Sequence, residues 1–581
     1  MSQVLAQLKG FVMSVQSPQS AIFALADEIV DRLAESDPLF ATEQGIPGYD
    51  HLLPDFSVAK RRRDQAQIVR DLQTLETLDA HSDVDRIAAA VIRERLSVQL
   101  ALIEADEERR TFSVLNSPVA AIRQVFELMP LTTAENGKNV ARRLSHVRAS
   151  LETWRGALLI TAAEHELPAA RHIIGVADQA DTVAGGAFSE FAERAAAATG
   201  VDLESSGLRA GAKDAEAAYA ELAAWMRSDL APKASTKEAC GEERYLRWSA
   251  FWSGATLDLH ELYEWGYQDL RRINTRMWEI ARELLPGAKS LVEVADLLDN
   301  DPARAIDGTD ALLTMLKAFT ARTTDELDGV HFDIDDRIRF CDARLAPEGS
   351  AAAPFYINPS EDLTRPGTTW FPTMGKTQFS WWRFASTWYH ESIPGHHLQI
   401  ATALLSSDRQ SRFHRLVGNT SGYAEGWALY AERLMDELGY FSDLGDELGY
   451  LANQALRAAR VVVDVGLHLE LDAPSDMGVL GDLGDCSNKR WTAEMAVALL
   501  EEWAIQDHPM SVSEVDRYLG LPAQAISYKV GERIWLESRE AAKQRLGDTF
   551  NLKAFHAHAL VLGPMGLDDF AAEMALWDGG L

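Results

Sequence analysis

Cysteine is scarce in this chain, with three in 581 residues. Cys240, Cys341 and Cys486 lie far apart and form no C-x-x-C pair, which excludes a disulfide framework and a sulfur-based zinc site. So low a count suits a reducing compartment. No run of about 18 apolar residues occurs, so nothing in the sequence is expected to span a bilayer. The first ten residues carry Lys9 but no sustained apolar stretch followed by a small-residue cleavage site. No signal peptide is therefore read, and the cytoplasm is the expected location. Basic residues are also in deficit, 56 Lys and Arg against 88 Asp and Glu, for a net charge of −32. That balance argues against a phosphate-backbone partner and against an anionic membrane surface. Fixed-period repeats, low-complexity tracts and Gly/Ser linkers are missing as well.

What is present is an ordinary globular composition, 47% hydrophobic and 25% charged. A chain this long buries ample core without covalent staples. Helical periodicity dominates residues 18–37, 60–107, 117–165, 186–228 and 256–286, with breakers at Gly45-Ile-Pro-Gly48, Pro130-Leu-Thr-Thr133 and Pro286-Gly287. Residues 344–380 differ: they are rich in Pro, Gly, Thr and aromatics and predict short strands or a hairpin. Helical sequence resumes near 381 and runs to the end, apart from a Gly/Asp/Ser-rich loop at 471–489. The expected fold is mainly α with one small β segment. Three regions are read along it, 1–230, 231–343 and 344–581, as parts of one continuous globular unit. The aromatic runs Trp370-Phe371 and Trp381-Trp382 read as packing beside the segment that follows them.

That segment is Tyr389-His-Glu-Ser-Ile-Pro-Gly-His-His-Leu-Gln399. It begins as H-E-x-x-H does, where two histidines one turn apart bind zinc and the glutamate is the base. Here Pro394 occupies the second histidine's place, and histidines follow six and seven positions after His390. A straight helix rises roughly 9–10.5 Å over that offset, too far for two nitrogens on one zinc. A bulge at Pro394-Gly395 can bring one histidine back. His396 is favoured because it follows the glycine, and His397 is the alternative. A third ligand is offered by the helix Tyr423–Glu432, where Glu425 and Glu432 share a face. Glu425 is read as the ligand and Glu432 as its supporting carboxylate, with reversed roles open. A divalent metal, zinc at one per chain, is the expected cofactor.

At these residues the chain resembles a large, mostly bacterial family known as domain of unknown function 885, whose members resemble gluzincin metallopeptidases. The resemblance rests on H-E-x-x-P-G-H-H-L-Q, His390 to Gln399, and on E-G-W-A-x-Y-x-E, Glu425 to Glu432. Matching stretches include Asp37-Pro38, Leu53-Pro54-Asp55, Asp464 to His468, Trp491-Thr492 and Gln524 to Gly531. It implies a gluzincin-like helical fold around a deep cleft and a zinc peptidase. One departure is the segment between His468 and Trp491, longer than the family pattern and expected at the cleft mouth.

Amide hydrolysis assisted by a metal also needs a base and donors to an oxyanion. Glu391 is the candidate base, and His468 and Tyr528 are the candidate donors. Arg460, Asp464 and His468 follow one another at i, i+4 and i+8, where a carboxylate can orient the imidazole; the same spacing also makes an ordinary salt-bridge ladder. Tyr356 and Asn358 are read as part of an edge strand that pairs with an extended substrate. Arg460, with Lys529 and Arg533, is a candidate anchor for a substrate carboxylate. The leading function is a zinc-dependent peptidase acting on short peptides. A hydrolase of a non-peptide amide or ester, and a non-enzymatic metal-binding module, are the alternatives.

Overall fold

A computed structural model describes residues 20–346, 353–360 and 363–580. The signal-peptide reading concerns the first ten residues and lies outside these. Helix starts fall where side chains can accept the free N–H groups of a first turn. Ser20 caps Ala21–Ser36, Ser57 caps Val58–Leu75 and Ser82 caps Asp83–Glu104. The periodic stretch 60–107 is therefore two helices broken at Ser82. Residues 117–165 divide likewise, into Pro118–Leu128 and a long helix Ala134–Glu164 that opens on a Thr133–Asn136 capping box. The architecture is mainly α, as the periodicity implied.

The β segment is a small mixed sheet. Asp342–Leu345 runs parallel to Thr368–Phe371, and Phe355–Ile357 pairs antiparallel with the same central strand, leaving Phe355–Ile357 at an edge. A separate pair joins Ala305–Asp307 to Gln378–Ser380. The parallel pairing and the contribution of 305–307 are not visible in local sequence pattern, because their partners lie far along the chain.

Burial separates two hydrophobic cores. One holds Phe112 through Leu230 and is contiguous in sequence. The other joins Ile22–Ile103 to Tyr245–Trp577. The region 1–230 is thus divided between the cores: the buried residues from Ile22 to Ile103 pack with the C-terminal half. A cleft of about 1720 Å³ is lined from both sides, by Val119 and Val183 of one core and Phe371 and Phe384 of the other. The loop 471–489 is not part of its wall. It folds instead on the helix Leu259–Leu284, where Tyr263 donates to the Asp472 carbonyl at 3.0 Å.

Candidate metal centre

The H-E segment is broken into two helices, Ala385–Glu391 and His396–Leu405. Between them the Gly395 N–H donates to the Tyr389 carbonyl at 3.0 Å and the His397 N–H to the Ser392 carbonyl at 3.1 Å. This tight bulge brings the Gly395 α-carbon against the His390 carbonyl. An added Cβ would overlap that oxygen, so only glycine fits. The offset of the two histidines is closed in this way: the His390 and His396 ring centroids lie 4.7 Å apart.

Glu425 comes from the helix Ser421–Glu437, whose Thr420 cap fixes its start. Glu425 Oε2 stands 3.1 Å from His390 Nε2 and 3.5 Å from His396 Nε2. The two nitrogens and one oxygen of a tetrahedral zinc site, each about 2.0–2.2 Å from the metal, are separated by roughly 3.3 Å. The donor set and its spacing therefore fit a divalent ion held by His390, His396 and Glu425, with no sulfur required. Behind it, His390 Nδ1 meets Glu432 Oε1 at 2.8 Å, and the Ser386 hydroxyl donates to the other Glu432 oxygen. Glu432 is fully buried. That hydrogen bond fixes the ring's tautomer, leaving Nε2 for the ligand position. Burial opposes charge on His390, but hydrogen bonds to Glu425 and Glu432 outweigh it and hold its pKa up at about 9.

His397 faces elsewhere. Its Nδ1 pairs with the Tyr356 hydroxyl at 2.8 Å and its Nε2 donates to the Ile338 carbonyl at 2.7 Å. Both nitrogens are used, and burial pushes its pKa down to about 4. Of the two candidates, His396 is therefore the one the fold brings to His390 and Glu425.

Glu391 lines the same cleft. Burial raises its carboxyl above the usual range, against the opposing pull of His390 and His396. Tyr528, on the helix Ser527–Leu546, also lines it, its ring 6.2 Å from His390 and its hydroxyl without a protein partner among the described residues. Tyr356 and Asn358 line the wall too, Tyr356 on the edge strand and Asn358 just past its end. Arg460 is there as well, its guanidinium 4.6 Å over the Tyr528 ring.

Three expected residues are not brought to the cleft. His468 is fully buried: its Nδ1 accepts the Cys240 N–H at 3.2 Å and its Nε2 donates to the Tyr518 carbonyl at 3.0 Å. Burial lowers its pKa to about 4, so it is a neutral structural clasp and not an oxyanion donor. Lys529 is buried among Asp269, Gln454 and Glu532. Arg533 pairs with Glu261 and Glu537 on another surface. Sequence reasoning in turn missed Arg457, Glu514 and Arg517, which complete the wall around Arg460. Only Arg457 had a signal, one turn before Arg460 on the same helix.

A second trio, Asp106, Glu164 and His165, also gathers possible ligand atoms. Arg109 sits among them, 2.7 Å from Asp106 and 3.2 Å from Glu164, which makes it an ion-pair network.

These features define a large helical protein with a candidate divalent-metal centre in a cleft between two cores. The chain belongs to the family described as "Bacterial protein of unknown function (DUF885)", whose model matches residues 38–574. Solved structures share its fold, two of which follow. One is described as "the putative lipoprotein from Colwellia psychrerythraea", at 22% identity and TM-score 0.80, covering 96% of this chain and 98% of that one. The other is "a putative lipoprotein of unknown function from Shewanella oneidensis", at 20% identity and TM-score 0.71, covering 95% and 99%. No curated protein matches the chain. Among the described residues no helix is long and apolar enough to cross a membrane.

Proposed function

We propose that this protein is a metal-dependent hydrolase of the gluzincin type that cleaves peptide bonds in short peptides. The observation that carries the reading is the convergence of His390, His396 and Glu425 beside Glu391 in one cleft. A divalent ion, zinc by its donor set, would be held by the first three. When bound, such an ion polarises a carbonyl and lowers the pKa of water. Glu391 takes a proton from the attacking water and delivers it to the leaving nitrogen. Tyr528 offers its free hydroxyl to the oxygen on which negative charge develops. Glu432 keeps His390 oriented, and the edge strand Phe355–Ile357 offers backbone groups to an extended chain.

Two further features support peptides as substrates. The cleft, at about 1720 Å³, exceeds the roughly 300–1,000 Å³ typical of small-ligand sites. Its walls mix apolar side chains with several arginines. A purely structural metal would leave Glu391 without a task, and such sites are usually closed by four protein ligands. The test is elemental analysis joined to Glu391→Gln. About one zinc per chain should be found in both forms, with turnover of a mixed peptide library lost in the variant. Absence of zinc after reconstitution, or a variant as active as the parent, overturns the reading. Cleavage of small amides or esters with no cleavage of any peptide assigns the same machinery to a non-peptide substrate.

A further inference from the structure

The cleft wall beyond Tyr528 carries more positive charge than the protein neutralises. Arg457 and Arg460 lie one turn apart on the helix Leu444–His468, and Arg517 comes from His508–Gly520, which packs beside it. All three line the cleft. Arg457 and Arg460 are each only 7% exposed, in a chain whose net charge is −32.

Glu514 pairs with Arg460 at 2.9 Å and with Arg517 at 3.3 Å, and accepts the Tyr518 hydroxyl at 2.6 Å. Burial would raise the Glu514 carboxyl, yet the two guanidiniums hold it down at about 2. Glu514 thus offsets one cation of three. Glu432, 3.8 Å from Arg457, is also engaged by His390 and Ser386. Among the described residues Arg457 otherwise donates only to the Asn453 carbonyl of its own helix, at 3.2 Å. Three buried nitrogens remain without an acceptor among the described residues: Arg457 Nε, Arg460 Nη1 and Arg517 Nε. Buried donors are ordinarily satisfied, so unfilled ones in a cleft wall mark where a ligand's acceptors go.

We propose that the Arg457, Arg460 and Arg517 wall seats the free α-carboxylate of a peptide, so that the protein trims peptides from their C-terminal end. This rests on the hydrolase reading above. The planar guanidinium fork matches a carboxylate. The α-carboxylate is the anion that every peptide carries whatever its side chains. Spacing sets the length of the fragment released. Tyr528 neighbours both features: its ring is 6.2 Å from His390 and 4.6 Å from the Arg460 guanidinium, which bounds how far apart they can be. An extended residue spans roughly 3.3–3.6 Å, so one or two residues fit between the scissile carbonyl and the arginines. One water is consumed: its oxygen bonds the acyl carbon, the C–N bond breaks, and a proton passes to the leaving nitrogen.

The experiment compares zinc-loaded protein on peptides of identical sequence ending in a free acid or an amide. The free acid should lose one or two residues, with kcat/KM about 10- to 100-fold above the amide, the range for a lost charge-assisted hydrogen bond. A double variant, Arg460→Met with Glu514→Gln, removes the guanidinium without stranding its buried carboxylate. It should shrink the gap between acid and amide several-fold while keeping its zinc. Equal cleavage of both peptides, or cleavage only at internal bonds, overturns the proposal and leaves the peptidase reading standing. If neither peptide is cut, the peptidase reading fails. Calorimetric binding to chelator-treated protein then decides separately: preference for the free acid keeps the carboxylate seat, and equal binding removes it.

Discussion

At the scale of single residues, the centre depends on which atoms are already engaged. His390 has Nδ1 held by Glu432, while its Nε2 faces Glu425, the carboxylate of the same candidate centre. Glu432→Gln replaces a carboxylate that holds the ring by an amide that can present the wrong group. Such supporting partners typically contribute 10- to 100-fold in metal affinity. Zinc affinity measured by competition with a chelator should therefore weaken by about that factor, while the thermal transition survives. Unchanged affinity would remove Glu432 from the centre. These residues were legible because the sequence concentrates them: two motifs, 35 positions apart at their first residues, hold every ligand the fold brings together. Whether His396 or His397 takes part was not legible. That choice depends on the bulge at Gly395, which turns one ring to Glu425 and the next to Tyr356.

At the scale of elements, two helices set the distance between Glu425 and Tyr528, the proposed ligand and the proposed oxyanion donor. Ser421–Glu437 carries Glu425, and Ser527–Leu546 carries Tyr528. They cross with Gly426 directly against Gly531, so close that a Cβ on either would overlap the other backbone. Gly531→Ala must push the helices apart. Overpacking of this kind costs about 1–3 kcal/mol, and here it should also displace Glu425. We expect a lowered melting temperature together with reduced zinc content; a variant that melts lower but binds zinc normally would place the crossing outside the centre. The neighbouring helix Leu444–His468 shows where pattern reading stops. Its spacing put Arg460, Asp464 and His468 on one stripe. Yet the helix is buried almost all round, and only the Arg457–Arg460 end of the stripe meets the cleft. Periodicity marks a face only when one side is solvated. The arginine wall was illegible for a related reason: Arg517 and Glu514 reach Arg460 through packing of helices more than 50 residues apart in sequence.

At the scale of the whole molecule, burial of neutral histidines ties stability to pH. His172 and His468 have pKa values pushed down to about 4, and His414 and His556 to about 3, in each case chiefly by burial. Above about pH 6.5 these histidines are neutral in both folded and unfolded chains and contribute no pH dependence. As pH falls below that, the unfolded chain gains protons that the folded one refuses. Stability is therefore lost progressively as pH falls from about 6.5 toward the folded-state values of about 4 and about 3. Urea midpoints should fall across that window, and His172→Asn should flatten the slope; a midpoint independent of pH there would contradict the buried neutral forms.

The division of the chain between two cores also governs the order in which they can close. The core from Phe112 to Leu230 needs only residues near one another, whereas the other joins Leu25 to Phe570. During synthesis the first can be complete while most of the chain is unmade. The second has to wait for the last helices. Once formed, the inserted unit draws the segment ending near Ile103 toward the one beginning near Tyr245, shortening the loop the large core must close. Glu425 and Tyr528 belong to that late half, so a nascent chain carries one wall of the cleft long before it carries the candidate metal centre.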